Sequence, residues 1–494
     1  MSRPDPAAPA PRERRLHPMS WLFVLLQQLR QFIVPLLALL LFGRGDRNEL
    51  WSLIGVGALA LASLWQYFTY RYTVGEDGLA IRSGLLERSL RVIPFARIHN
   101  VALQQNLLHR LFGVAEVRLE SAGGARPEAE MRVLKLADAL ALEALVRRHA
   151  TAAAEGAAAT PAAPLLRLDL GEVLRLGLVS NRGMIVVGAG VAALSQTNPE
   201  LLPRLIGSFG RRLLGYLDVH RFGPLEYALG GAGLLLLAVA LLRLFSVALA
   251  LLQYHGFRLS EHGRRLTVER GLLARWRTSA SRRRIQAWTL REGVLHRVLR
   301  RRSLEVDTAV VDRHGGDRGL RELAPIAPPH ACDALIEHLL PQARWNALPW
   351  RPLPAASGWR LFLPALPVTA LVAALAGWRF GAWGLLALAW LPWAAYQARR
   401  QAARLAYALN DALIAVREGW WSRHWRFAEL DKLQALQLVR GPLDRRCGTA
   451  TLWLDTAGRG AMAPPLRIRF LPLAEARALY AELSRTLARR PLRW

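Results

Sequence analysis

Apolar and polar positions fall along this chain in two registers that take turns. Long apolar runs come in pairs: 21–42 with 50–68, 184–194 with 225–254, and 360–376 with 383–396. The run 21–42 is long enough to cross a bilayer at ~1.5 Å per residue, although Gln27, Gln28, Arg30 and Gln31 interrupt it. The run 50–68 is uninterrupted and closes on Trp65, Tyr67 and Phe68, an aromatic pattern typical of a membrane interface. The run 184–194 is short. The run 225–254 is longer than a bilayer needs and holds Arg243, whose stem can snorkel to the surface. Arg379 marks the turn of the third pair. Each pair predicts a helical hairpin, about six membrane spans in all, and a hairpin returns the chain to the side it left.

Between the hairpins the period changes. Residues 70–74, 79–83 and 89–93 alternate or run as strands, with Asp77-Gly78 as a turn, and 114–121 reads as a further strand. Residues 137–149 predict a helix with Leu140 and Ala144 on its apolar face. This unit of short strands closed by one helix recurs. Gly84, Gly271 and Gly419 are each followed fourteen residues later by an apolar residue, Ile98, Ile285 and Leu433. A basic residue precedes each of these: Arg97, Arg284 and Lys432. Leu108, Leu295 and Leu443 come next, and two residues beyond them Arg110, Arg297 and Arg445. Each copy closes on an acid and a hydroxyl: Glu120-Ser121, Asp307-Thr308 and Asp455-Thr456. The copies align without a gap, so the chain is an internal repeat.

The expected layout is a disordered basic tail (1–15), a first hairpin (16–69) and a first β-rich domain (70–150). A low-complexity linker (151–164) leads to a second hairpin (165–254) and a second domain (255–341) closed by a helix over 330–340. A Pro/Trp-rich linker (342–358) precedes the third hairpin (359–397) and the third domain (404–489), whose helix is 473–489.

Charge adds an orientation. The chain has 494 residues, 52% hydrophobic and 21% charged, yet carries a net charge of +29. That combination fits a membrane protein whose non-embedded parts are basic. The excess is arginine; Lys135 and Lys432 are the only lysines. Residues 254–302 hold fourteen Arg against three Glu, while the turn 43–49 has two Arg offset by Asp46 and Glu49. The positive-inside rule therefore puts the β-rich domains in the cytoplasm. The 197–222 connection, with four Arg against Glu200 and Asp218, fits this orientation less well. Cys332 and Cys447 form neither a disulfide framework nor a metal spacing, which agrees with a reducing side.

Each unit resembles the bacterial pleckstrin-homology-like (PH-like) domain of the YdbS/YdbT type. The resemblance lies in Gly84-Leu85-Leu86, Arg97-Ile98-His99, Leu108-His109-Arg110-Leu111-Phe112-Gly113 and Ser121-Ala122-Gly123. The second copy keeps Gly271-Leu272-Leu273, Arg284-Ile285-Gln286 and Leu295-His296-Arg297, with Arg300 in place of the motif glycine. The third departs further, with Trp420-Trp421, Lys432-Leu433-Gln434 and Asp444. The resemblance implies three partly open, seven-stranded β-barrels, each capped by a C-terminal helix and preceded by a membrane hairpin. It implies residence in the bacterial inner membrane and no established enzymatic chemistry. By analogy it suggests a part in envelope stress or in resistance to toxins or antimicrobial peptides.

The chain contains no P-loop, H-E-x-x-H, G-x-S-x-G or dinucleotide fingerprint. No catalytic residue, metal or cofactor is expected. His109 and His296 share a repeat position that the third copy fills with Asp444, and one His per unit does not make a metal site. Arg110, Arg297 and Arg445 are expected either to pair with Glu120, Asp307 and Asp455 or to cap a neighbouring turn. The sharpest candidate binding surface is the arginine cluster Arg258, Arg264, Arg265, Arg275, Arg277, Arg282, Arg283 and Arg284. Such a cluster either attracts anionic lipid heads, at ~1 kcal/mol per basic group, or only enforces topology. Nucleic acid is not expected, because the strands lack interleaved aromatics, and no small-molecule substrate is indicated. Arg30, Arg182 and Arg360 are either interfacial anchors or the lining of a helical bundle. The leading expectation is a non-enzymatic, multi-pass scaffold for anionic lipids or protein partners, either another membrane protein or a second copy. The alternative is a transporter or export component.

Overall fold

The structure, a computed structural model, describes residues 14–15, 20, 22–23, 57, 61, 65, 69–75, 78–83, 89–95, 98–121, 129–152, 164–197, 199–219, 223–308, 320–354, 357–458 and 463–489. Gly84, Arg97, Arg30 and almost all of the first expected hairpin lie outside the described residues.

The first repeat consists of β1 (Arg14–Arg15), β2 (Arg71–Val74), β3 (Gly78–Ser83), β4 (Ser89–Pro94) and β5 (Ile98–Gln105). A short helix α1 (Leu107–Leu111) follows, then β6 (Val114–Ser121), β7 (Ala129–Lys135) and the closing helix α2 (Leu136–Ala152). The second repeat opens on β8 (Leu166–Arg167). Four helices come next: α3 (Leu170–Val179), α4 (Arg182–Thr197), α5 (Leu201–Val219) and α6 (Pro224–Tyr254). Its sheet strands are β9 (Arg258–His262), β10 (Arg265–Arg270), β11 (Arg275–Ser281) and β12 (Ile285–Glu292). It ends with α7 (Val294–Val298), β13 (Arg302–Thr308), β14 (Glu322–Ala327) and α8 (Pro329–Leu339). The third repeat has β15 (Arg351–Pro352), α9 (Gly358–Phe362), α10 (Ala365–Phe380) and α11 (Trp390–Ala402). Then come β16 (Ala406–Leu409), β17 (Leu413–Glu418), β18 (Arg423–Glu429) and β19 (Leu433–Val439). It closes with α12 (Pro442–Cys447), β20 (Thr449–Thr456), β21 (Arg467–Pro472) and α13 (Leu473–Ala488).

Each repeat thus supplies seven strands in two groups, four and three. Within the first repeat the two groups face each other: Tyr72, Leu79 and Ile81 share a core with Val101, Val117 and Met131, closed by Leu142 and Val146 of α2. This is the expected barrel with its helical cap. The barrels are not separate bodies, however. The three-strand group of one repeat is hydrogen-bonded to the four-strand group of the next. One seven-stranded sheet has the order β7-β6-β5-β11-β10-β9-β8, and a second has β14-β13-β12-β18-β17-β16-β15. The four strands β1-β2-β3-β4 and the three strands β19-β20-β21 remain at the two ends.

Part of the expected tail and the expected 342–358 linker are structural. Arg14 and Arg15 of the supposed tail pair with Tyr72 and Arg71. In the Pro/Trp-rich segment, Trp345, Leu348 and Leu353 are buried, because large apolar side chains gain ~1.5–3 kcal/mol each on leaving water. The short strands β1, β8 and β15 each pair with the strand that follows the corresponding hairpin. A chain that leaves a sheet at β8 and rejoins it at β9 returns to the side it left.

The helix α6 is apolar all round and its leucines face outward, as for a lipid-exposed span. It starts at Gly223-Pro224, where the Glu226 carboxylate accepts the Gly223 N–H at 2.8 Å. Among the described residues two helical stretches are long and apolar enough to cross a membrane, Leu225–Tyr254 and Gly358–Ala402. A third is added if the pair α3–α4, bent by 51°, counts as one span. The expected six are not reached by them. The short run 184–194 belongs to α4, and the polar 197–222 connection is mostly the helix α5. Arg243 does not snorkel: it donates to the carbonyls of Leu178 at 3.0 Å and Ser180 at 3.2 Å, satisfying the helix end exposed by the bend. The third hairpin turns at Gly381 (φ 62°), and its legs touch where Gly384 meets Gly377.

Candidate functional site at the membrane-proximal junctions

Gly271 and Gly419 sit where a sheet meets the end of a membrane helix. The Gly271 N–H donates to the His255 carbonyl and the Leu272 N–H to the Leu252 carbonyl, both at 2.9 Å, so this turn seals the last turn of α6. Gly271 has φ 113°, and a Cβ there would lie 1.8 Å from the Ala274 carbonyl oxygen; Gly419 has φ 82° and the same clash with Ser422 at 2.0 Å. Only glycine fits. The side chains after the glycine lie beside these helix ends: Leu272 and Leu273 are exposed, and Trp420 and Trp421 gather against Trp393 and Tyr396 of α11. Ile98, Ile285 and Leu433 are the buried first residues of β5, β12 and β19.

The recurring arginine reaches into the following repeat. Arg110 donates to the Leu272 carbonyl at 3.0 Å, and Arg297 to the Trp421 carbonyl at 3.1 Å. Of the two structural expectations, capping a turn holds for both, and the turn belongs to the next copy. Asp307 and Asp455 are used otherwise. Asp307 pairs with Arg426, which is 2% exposed and also donates to Thr289. Asp455 accepts the backbone N–H of Thr456 at 3.1 Å. Arg445, in the last repeat, is exposed, and its side chain makes no hydrogen bond or ion pair among the described residues.

The eight-arginine cluster does not form one surface. Antiparallel pairing sends Arg258, Arg275 and Arg277 to the end of the sheet beside α6, with Glu269 opposite both Arg258 and Arg277. Arg264, Arg265, Arg282, Arg283 and Arg284 lie at the far end, roughly 16–20 Å away at ~3.3 Å per residue. At that far end Arg282 donates to Glu261 at 2.8 Å and to the Leu339 carbonyl, fastening the C-terminus of α8. Burial and the neighbouring Arg265 push the Arg284 guanidinium down to about 10. The near group, by contrast, opens on a cleft of about 420 Å³ between the first and second repeats. Its lining includes Arg258, Arg270, Arg275, Arg277 and His255, with Glu269 as the acid. Arg277 is held by Glu143 at 3.6 Å and Glu269 at 3.3 Å, and Arg270 by Glu322 at 3.1 Å. Arg258 and Arg275 are exposed and unpaired among the described residues. Sequence reasoning passed over Arg270 and His255; the signal was their position at the end of an apolar run and beside a repeat glycine.

A second cleft of about 510 Å³ lies beside the junction of the second and third repeats, lined by Glu292, Arg297, Arg300, Arg301, Arg302 and His330. Its cations are mostly engaged. Arg301 pairs with Glu172 at 2.7 Å. Arg302 pairs with Glu292 at 3.2 Å and Asp333 at 3.3 Å. Arg300 takes the left-handed conformation (φ 53°) of the motif glycine Gly113 (φ 62°).

Arg182 and Arg360 fasten the helices to the sheets. Arg182 bonds Glu322 at 2.7 Å together with Gln253, and Arg360 bonds Asp444 at 2.7 Å and Thr449 at 2.8 Å. His109 is buried against the Phe23 ring, with centroids 4.3 Å apart. Among the described residues no three His, Cys, Asp or Glu side chains converge as metal ligands do.

Comparison with known proteins agrees with this architecture. The family profile "Bacterial PH domain" matches three times, over residues 22–150, 206–337 and 353–487. The Bacillus subtilis (strain 168) protein named "UPF0699 transmembrane protein YdbT" is 23% identical over 335 residues, 63% of this chain and 64% of the relative. The chain thus spans just under two thirds of that relative's length. No solved structure matches. With three matches that together cover most of its length, the chain belongs to the bacterial PH domain family, as a membrane protein of the YdbT kind with three PH-like repeats.

Proposed function

We propose that the protein is a non-catalytic membrane scaffold that holds anionic lipid head groups in the cleft between its first two repeats. The observation that carries this reading is the placement of Arg258 and Arg275. Both are exposed, unpaired among the described residues and beside the end of the apolar helix α6. A cleft of about 420 Å³ is large enough for a phosphate-bearing head group, and tethering beside the bilayer makes weak contacts effective. The exposed Leu272 and Leu273 give the same rim an apolar edge for the interface. On the strength of the charge asymmetry, the proposal puts the sheets on the cytoplasmic side of the inner membrane. From the resemblance it takes a role in envelope stress or in resistance to membrane-active toxins and peptides.

The full chain is the right object for a test, since an isolated second repeat would bare two strand edges. Native mass spectrometry of the detergent-solubilised protein, titrated with phosphatidylglycerol, reads lipid occupancy directly. Arg258→Gln with Arg275→Gln is expected to lower affinity by about 30-fold, from ~1 kcal/mol per basic group. Arg264→Gln with Arg283→Gln, at the far end of the same strands, is expected to change it little. Equal effects of the two double variants, or retention of phosphatidylcholine as well as phosphatidylglycerol, count against the cleft.

A further inference from the structure

The two internal junctions use one register. The spacing between repeat glycines carries Val101 onto Trp288 and Ser279 onto Phe427, and both pairs are strand partners: Val101 with Ser279, Trp288 with Phe427. The same holds for Leu103 with Arg277 and Leu290 with Trp425. Every junction therefore joins the fifth strand of one repeat to the fourth strand of the next. Among the described residues this rule leaves one strand of each kind without its counterpart. Strand β4 has β3 on one side and no strand on the other among the described residues, and β19 likewise has only β20.

We propose that β19 of one copy pairs with β4 of a second copy, in the register of the internal junctions, so that the protein assembles head to tail. Carrying the repeat spacing forward sets Leu436 opposite Val92, Gln437 opposite Arg91 and Leu438 opposite Leu90. The apolar partners match on one face, and Leu90 and Val92 stand 68% and 63% exposed on a strand whose inward residue Ile93 is 3% exposed. The polar face matches as well. Arg91 occupies the repeat position of Arg426, and Asp455 that of Asp307, the buried ion pair of the second junction. Asp455 is exposed here. Arg445 completes the set: its equivalents Arg110 and Arg297 grip a turn carbonyl of the following repeat, and in the proposed assembly Arg445 meets the matching carbonyl of the second copy. A long strand edge with apolar side chains is an aggregation hazard unless covered. A heterologous contact of this kind closes into a ring or runs on as a filament.

Two differently tagged full-length chains, each also Cys447→Ser, test the register when co-expressed and oxidised in native membranes. One carries Leu90→Cys, the other Leu438→Cys. The expected product is a disulfide between the two tags, and native mass spectrometry of the unsubstituted protein is expected to show multiples of 55.0 kDa. Leu90→Lys with Val92→Lys is expected to leave single chains with unchanged helical and strand content. Disulfides only between like chains, adducts only to a different protein, or a single-chain mass with no cross-link would each overturn the proposal.

Discussion

At the junction of the second and third repeats, β12 meets β18 through Trp288 against Phe427, rings parallel within 5°, and Leu290 against Trp425. Behind them the Arg426–Asp307 pair is buried. At equivalent positions of the first junction, Val101 meets Ser279, Leu103 meets Arg277 and Ala102 meets Thr278. Backbone pairing is the same, so register comes from the strands and not from the fillers. What differs is volume and charge. Aromatics and a paired arginine close the second junction; small and polar side chains leave the first open at its membrane end, where unpaired arginines line the cleft. One junction is a clamp, and the other has room for a ligand.

The comparison breaks most visibly at the buried pair. Asp307→Ala strands Arg426 without a counter-charge and is expected to cost about 3–5 kcal/mol, seen as a lowered unfolding midpoint. Thr278→Ala at the matching site of the first junction is expected to cost less than about 1 kcal/mol.

Acid should also loosen the second junction first. His424 sits opposite Arg291 there, and burial with the Arg291, Arg469 and Arg426 charges pushes its imidazole down to about 4. The unfolded chain takes up that proton near pH 6.5, before the folded one does. Stability is therefore full above about pH 6.5 and falls as pH drops toward about 4, by about 2–3 kcal/mol. His424→Gln is expected to flatten this slope in unfolding midpoints measured between pH 7 and 4. An unchanged slope would locate the acid sensitivity elsewhere.

The glycine turns sharpen the contrast. Gly271→Ala and Gly419→Ala each force a Cβ onto a carbonyl oxygen and are expected to cost ~1–3 kcal/mol. Gly271→Ala is further expected to speed trypsin cleavage at Arg275, because its turn is sealed mainly by two backbone hydrogen bonds to α6, whereas Trp420 and Trp421 hold the other turn by packing. The lipid shift for Arg258→Gln with Arg275→Gln, about 30-fold or ~2 kcal/mol, is of comparable size.

Much of the fold was legible in the sequence. Fixed offsets from Gly84, Gly271 and Gly419 located Ile98, Ile285 and Leu433, which begin β5, β12 and β19. Strand limits in the first repeat followed from period and turn residues, and 114–121 is a strand as read. Which strand pairs with which was not legible. A period-two pattern marks the face that is buried and says nothing about the neighbour along the sheet, so shared sheets and separate barrels read alike. The arginine cluster misled for a related reason. Residues close in sequence, such as Arg277 and Arg282, lie near opposite ends of one extended strand. The partners of Asp307 and Arg110 were hidden because both lie in the following repeat, over one hundred residues away.

Edge-to-edge fusion of the repeats is the central claim, and one cysteine pair tests it directly. Gln105 and Arg275 are strand partners across the first junction and both reach solvent, with the Cα separation of a strand pair lying within disulfide range. The double variant Gln105→Cys and Arg275→Cys, in a Cys447→Ser chain with a protease site in the Ala-rich segment 153–163, should oxidise within one chain. After cleavage its two fragments are predicted to stay joined on a non-reducing gel and to part on reduction. Gln105→Cys with Trp276→Cys, one residue out of register, is predicted to part without reduction. If the in-register pair parts as readily as the control, the repeats are separate barrels and the cleft between them does not exist.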